Sequence, residues 1–252
     1  VEDSYTLIET AADFAKMDAS GKYRLANNIT VTAPYKSAFK GEFDGANHTV
    51  TVDISVTSGQ AGLFAELGSG AYVHDIKIVG SVTSKATYAG AGSLVGKVSG
   101  SATIENCTSS AAVSETSTSS SAAYAGGLVG YTFASLTIKN CSSSGDVSNT
   151  TKSDSSSYTG GLIGYAASSA VVKATGCSAS GNVTAAKGYA GGFMATTGKG
   201  STFTDCSASG VVTAATMSKA FGFLRDAAEG NSTFVNCTYN DTDNQQGYNY
   251  DA

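Results

Sequence analysis

The chain has no tryptophan, one proline (Pro34) and two histidines (His48 and His74) in 252 residues. Neither histidine stands in a recognisable nucleophile–base arrangement, so nothing points to acyl-transfer chemistry. Charged residues make up only 14% of the chain and the net charge is −5. That balance offers no basic footprint for nucleic acid or an anionic membrane. No apolar run approaches the ~20 residues that span a bilayer, so membrane insertion is not expected. No signal-peptide pattern opens the chain, which decides little, because a mature chain begins after one is removed. Closely paired cysteines are also missing. The five cysteines are separated by 34, 36, 29 and 31 residues, unlike the short ligand spacings of a zinc site. Accordingly no catalytic residue, cofactor or metal is assigned, and an enzyme is not expected.

What is abundant is small. There are 30 glycines and a large excess of Ser and Thr. Such a composition also occurs in disordered chains, but here 41% of residues are hydrophobic and they recur in register, which argues for a packed core.

The register comes from a repeat. Tyr124 opens YAGGLVGYTFASLTIKNCSSSGDV, Tyr158 and Tyr189 open close copies, and Tyr88 opens a looser one. Aligning the apolar residue of the glycine motif gives Leu63, Leu94, Leu128, Leu162, Phe193 and Phe223, separated by 31, 34, 34, 31 and 30 residues. A second mark is Cys107, Cys141, Cys177, Cys206 and Cys237, with Ile76 in the cysteine's place in the first unit. Val82, Val113, Val147, Val183 and Val212 follow that mark by six residues. Each unit supplies three strand candidates, for example 127–131, 136–140 and 146–149. A unit of this size cannot bury both faces alone, so units must stack. The expected fold is all-β: a right-handed parallel β-helix of about six coils with a short N-terminal helical cap. Blades of a propeller would be longer, and helical repeats conflict with so much Gly, Thr, Ser and Val.

Three regions follow. Residues 1–59 read as an N-terminal cap and lead-in coil. Thr10 followed by Asp13 resembles a helix N-cap, and Thr49–Ile54 alternates as a strand. Residues 60–238 carry the repeats. Residues 239–252 form a polar, tyrosine-rich tail, in which Asp241-Thr242-Asp243 lacks the rest of a calcium loop. The leucine, phenylalanine and cysteine marks are expected to be structural ladders inside the helix, with buried free thiols. In-register parallel side chains suit a disulfide torsion poorly. The residue before the cysteine mark (Asp75, Asn106, Asn140, Gly176, Asp205, Asn236) is expected at a left-handed turn with stacked amides. Asn-x-Ser/Thr sequons are frequent, and Asn149, in a Ser/Thr-rich stretch, is the candidate glycosylation acceptor on an exposed loop. Residues matched across coils show no stack of acids, and clustered carboxylates are what a polysaccharide-cleaving β-helix would need.

Gly126-Gly127-Leu128-Val129-Gly130-Tyr131, followed by Ile138-Lys139-Asn140-Cys141 and Gly145-Asp146-Val147, resembles the GLUG-motif repeats of bacterial and archaeal adhesin-like surface proteins. Gly160-Gly161-Leu162-Ile163-Gly164-Tyr165 repeats the motif. Gly62-Leu63-Phe64-Ala65, Gly192-Phe193-Met194-Ala195 and Gly222-Phe223-Leu224-Arg225 lose its closing glycine. The resemblance implies a secreted or cell-surface β-helical stalk without catalytic residues. It leads to the expectation of an extracellular adhesive module whose partner is a host or neighbouring-cell surface ligand, a glycan among the candidates. The alternatives are an end-to-end self-assembling filament subunit and a polysaccharide-binding or polysaccharide-degrading β-helix. Recognition is expected where the repeats differ: residues 114–123 and 148–157, the cap, and the tail.

Overall fold

The computed structural model describes residues 4–118, 121–152, 156–215, 219–225 and 231–239. The polar tail from residue 240 to 252 lies outside the described residues, as do 119–120 and 153–155 of the two Ser/Thr-rich stretches. The chain winds as an all-β parallel solenoid of about six turns with one short helix. Among the described residues every strand pairing is parallel, as it must be when one coil stacks on the next.

A coil is more finely divided than the three expected strands. The coil from Ala123 runs through five: Ala123–Gly126, Val129–Thr132, Leu136–Lys139, Ser142–Ser143 and Val147–Asn149. The first belongs to a five-stranded sheet, called sheet 1 here, the second to a seven-stranded sheet 2, the third to a nine-stranded sheet 3, and the last two to a twelve-stranded sheet 4. The expected strand 127–131 is split by a corner at Gly127-Leu128, because the chain reverses there. Gly126 makes the reversal possible. A Cβ on it would collide with the Val129 carbonyl oxygen and lie 2.5 Å from the Gly164 amide of the next coil. Sheets 1 and 2 therefore meet backbone to backbone along a glycine seam.

The register marks hold. Val95, Val129, Ile163, Met194 and Leu224 pair coil to coil, which aligns Leu94, Leu128, Leu162, Phe193 and Phe223 beside them. Leu63, Leu94, Leu128, Leu162 and Phe193 are fully buried, and Phe223 packs half-buried at the C-terminal end. Cys107, Cys141, Cys177 and Cys206 are buried free thiols, with Cys237 half-buried. Each of the four donates to the carbonyl two residues earlier, at 3.1–3.3 Å. The turn residues before them are left-handed: φ is 55° at Asp75, 52° at Asn106, 51° at Asn140, 62° at Gly176, 53° at Asp205 and 51° at Asn236. Asn140 Nδ2 donates to Asn106 Oδ1 (3.2 Å), and Asn106 Nδ2 to Asp75 Oδ1 (3.0 Å). Asn236 donates likewise to Asp205.

Residues 6–56 extend the same stack. Thr6–Ile8, Lys22–Leu25 and Glu42–Asp44 are the first three strands of sheet 3. The helix Ala11–Ala15 carries the full capping box between Thr10 and Asp13. Its Phe14 plugs the open end of the core, edge-on to Tyr35, Phe43 and Phe64 at 6.0, 5.8 and 5.6 Å. Among the described residues no helix is long and apolar enough to cross a membrane.

Sheet 1 folds back against sheet 4 and encloses a second, narrow interior. Val183, Ala185, Ala190, Val212 and Ala220 fill it in the later coils. In the middle coils it is polar: Glu115, Asn149, Thr151, Ser157 and Thr159 are all buried. This corrects the reading of Asn149. It stands at the end of a strand, is 0% exposed, and its side chain reaches the Ala123 carbonyl (3.4 Å) while accepting from the Thr151 amide (3.1 Å). No glycan fits on a side chain in that position.

Candidate ligand-binding face

The glycine seam has a consequence on the outside of the rod. Because the strand before Gly126 and the strand after it are folded together, the outward side chains at their far ends meet. Tyr124 from sheet 1 and Tyr131 from sheet 2 have ring centroids 4.6 Å apart, and Tyr158 and Tyr165 of the next coil are 4.7 Å apart. Along the stack Tyr124, Tyr158 and Tyr189 follow one another at 6.0 and 5.6 Å, nearly parallel. Tyr165 also lies 5.0 Å from Tyr124. The motif thus builds a row of five phenols across three coils. Burial, together with the neighbouring phenols, pushes the Tyr124 hydroxyl up to about 12 and raises those of Tyr158 and Tyr131 as well. These phenols stay neutral at physiological pH and serve as hydrogen-bonding edges, not as charge.

At the C-terminal end of the row the aromatic surface becomes cationic. The Arg225 guanidinium lies 4.3 Å from the centre of the Tyr189 ring and the Lys219 ammonium 5.4 Å, within range of cation–π attraction. A shallow groove of about 120 Å³ opens here between Tyr158, Tyr165, Ser168, Thr196, Lys199 and Arg225. Thr196 is buried in its floor, and its hydroxyl has no hydrogen-bond partner. A buried unpaired hydroxyl costs ~1–3 kcal/mol.

A second constellation sits on the outer face of sheet 3, in the first coils. Register pairs Lys22 with Glu42 and Tyr72, and Arg24 with Asp44, His74 and Glu105. Arg24 Nε donates to Asp44 Oδ2 at 2.7 Å, and Lys22 lies 3.4 Å from Glu42. The Tyr5 hydroxyl donates to Glu42, and the Tyr72 hydroxyl to Glu105 at 3.2 Å. His74 stacks on Tyr72 at 4.4 Å. Its Nδ1 is 2.7 Å from Asp75 Oδ2 and 3.8 Å from Asp44 Oδ1, and its Nε2 is 3.5 Å from Glu42 Oε1. The His74 side of Asp75 and the Asn106 amide hold the Asp75 carboxyl below its ordinary range. Acids therefore do cluster on one face, contrary to the expectation from matched repeat positions. Glu42 and Asp44 come from the strand that precedes the repeats, Asp75 and Glu105 from the first two repeat units.

The leucine, phenylalanine and cysteine marks contribute to neither surface, as expected for internal ladders. His48, by contrast, is alone with Asn28 (3.3 Å).

The family description "The GLUG motif" matches residues 87–114 and 121–148. No curated protein matches the sequence. Among solved structures, "a putative immunoglobulin A1 protease from Bacteroides ovatus" superposes with a TM-score of 0.58 at 16% identity, over 95% of this chain and 85% of that one. At that identity the likeness is one of fold. The chain thus carries GLUG motif repeats in two of its coils, wound into a parallel β-solenoid.

Proposed function

We propose that this chain is a non-enzymatic, extracellular module of a microbial surface or secreted protein, and that it adheres to a glycan along the tyrosine row. The observation that carries the reading is the groove at the end of that row. Tyr158 and Tyr165 offer phenol edges, Thr196 a buried unpaired hydroxyl, and Lys199 and Arg225 positive charge. Polar hydroxyls, flat apolar surface and cations in one shallow groove suit a saccharide bearing carboxylate or sulfate groups, with broad contact and no deep pocket. The rod itself supplies rigidity, since its recurring residues are spent on the core.

Binding of the chain to an array of neutral and acidic glycans tests this. Saturable binding to acidic glycans, abolished by Tyr158→Ala and by Arg225→Ala, is the expected result. Thr196→Val separates ligand contact from folding. It should leave stability equal or higher while weakening binding, and unchanged binding counts against the groove.

Two further readings have specific support. Thr6–Ile8 is an outermost strand of sheet 3 and Leu7 is 55% exposed, an open edge suited to end-to-end assembly. Monomers alone in size exclusion and negative-stain images at high concentration would dismiss it. The acidic face of sheet 3 supports polysaccharide cleavage, checked by release of new reducing ends or unsaturated sugars.

A further inference from the structure

We propose that Asp44, His74 and Asp75 form a binding site for a divalent transition metal of the zinc type, on the outer face of sheet 3 and independent of the glycan reading. One donor atom from each of the three lies within 4.8 Å of the others. Two of the residues are buried, Asp44 at 6% and His74 at 8% exposure. An imidazole with two carboxylates is a borderline nitrogen–oxygen set, which suits zinc and its neighbours better than calcium or magnesium.

Three features separate this from an incidental acidic patch. First, His74 Nε2 is buried without a hydrogen-bond partner and faces Glu42 Oε1 across 3.5 Å. When Nδ1 binds a metal, the other ring nitrogen carries the proton and donates to a carboxylate, an arrangement that fixes the ring and strengthens the ligand. Glu42 stands where that acceptor is needed. Second, each ligand carboxylate is already oriented. Asp75 gives Oδ1 to the Asn106 amide (3.0 Å) and turns Oδ2 to His74. Asp44 gives Oδ2 to Arg24 (2.7 Å) and turns Oδ1, held by the Ala46 amide (2.7 Å), toward the same nitrogen. Third, acids outnumber cations on this face: Glu42, Asp44, Asp75 and Glu105 stand against Lys22, Arg24 and, in register with Glu105, Lys139. A divalent ion supplies the positive charge that the carboxylates attract. Three protein donors also leave a coordination position open for water or an exogenous ligand.

The rival account is that a proton does the same work, with His74 held as an imidazolium between its carboxylates. Calorimetric titration of the chelator-treated chain with Zn²⁺, and with Ca²⁺ and Mg²⁺ for comparison, distinguishes the two. One saturable zinc site is expected, with little calcium or magnesium binding. Asp75→Asn is the decisive variant, because asparagine already occupies the same turn position at Asn106 and Asn140 and keeps the fold. It and His74→Ala should abolish the site, and Glu42→Gln should weaken it ~10–100-fold. His48→Ala and Cys237→Ser should leave it intact. The visible spectrum of the Co²⁺ complex gives a second readout, in which His74→Ala should remove the band. Zinc binding that survives Asp75→Asn and His74→Ala, or no zinc binding by the unaltered chain, overturns the proposal and leaves the imidazolium account standing.

Discussion

Replacing Glu115 by glutamine should make the protein more stable at pH 8 and change it little at pH 5. Glu115 is 0% exposed, in the narrow interior between sheets 1 and 4. Its partners are neutral: the amides of Ser117 (2.9 Å) and Thr116, and the Ser84 hydroxyl. Its Oε2 has no partner. Burial pushes the carboxyl from 4.5 up to about 7, against the pull of those hydrogen bonds. Between pH 4.5 and about 7 the folded chain keeps a proton that the unfolded chain has released. Stability therefore falls as pH rises through this window, and the full cost is present above it. The difference, 7 − 4.5 or about 2.5, at about 1.36 kcal/mol per pH unit, is about 3 kcal/mol. Glutamine has no proton to lose, so the gap between variant and wild type should grow from under about 1 kcal/mol at pH 5 to about 3 kcal/mol at pH 8. Urea unfolding followed by circular dichroism at both pH values measures it, and the rest of the chain titrates equally in both proteins. A gap that is the same at pH 5 and pH 8, or wider at pH 5, refutes the reasoning.

Phe14→Ala should cost about 3–5 kcal/mol, because it empties the plug over the N-terminal end of the core. A loss under about 1 kcal/mol in chemical denaturation would mean that the end is sealed by something else. Asn140→Ala should lower the melting temperature through its left-handed backbone, a penalty of about 1–2 kcal/mol. Asn140→Gly should cost less, as Gly176 already serves in that column, and equal losses would contradict the strain argument. In the native protein at pH 8 a thiol reagent should modify Cys237 first. The other four should be protected, since they are buried while Cys237 is only half-buried. Five thiols should titrate after denaturation, and fewer would indicate a disulfide.

The solenoid was legible because its marks are chemical and periodic. A buried leucine, a thiol under a left-handed turn and a valine six residues on recur at nearly constant spacing, and each has one place in a stacked coil. The tyrosine row was not legible. Tyr124 and Tyr131 are seven residues apart and only Tyr131 falls in the expected strand 127–131; they meet only because the glycines let the chain fold back on itself. The cluster around His74 was hidden by a change of period. The first rungs of sheet 3 are separated by 17 residues (Thr6 to Tyr23) and 20 (Tyr23 to Phe43), so Lys22 and Arg24 fall out of the repeat spacing, while Asp44, which does precede His74 by a full period, lies before the first glycine motif that marked the register. Asn149 was misplaced for a different reason. Strand alternation puts it on the same face as buried Val147, but the Ser/Thr-rich stretch around it read as solvated loop.

The claim that recognition lies on the tyrosine face is tested most directly by one binding comparison. Wild type, Tyr158→Ala/Tyr165→Ala and Thr137→Ala, the last on the outer face of sheet 3, are titrated with the strongest ligand from the glycan array. The account predicts wild-type affinity for Thr137→Ala and loss of binding for the double variant. Equal binding by all three, or no glycan bound by the wild type at all, would contradict it.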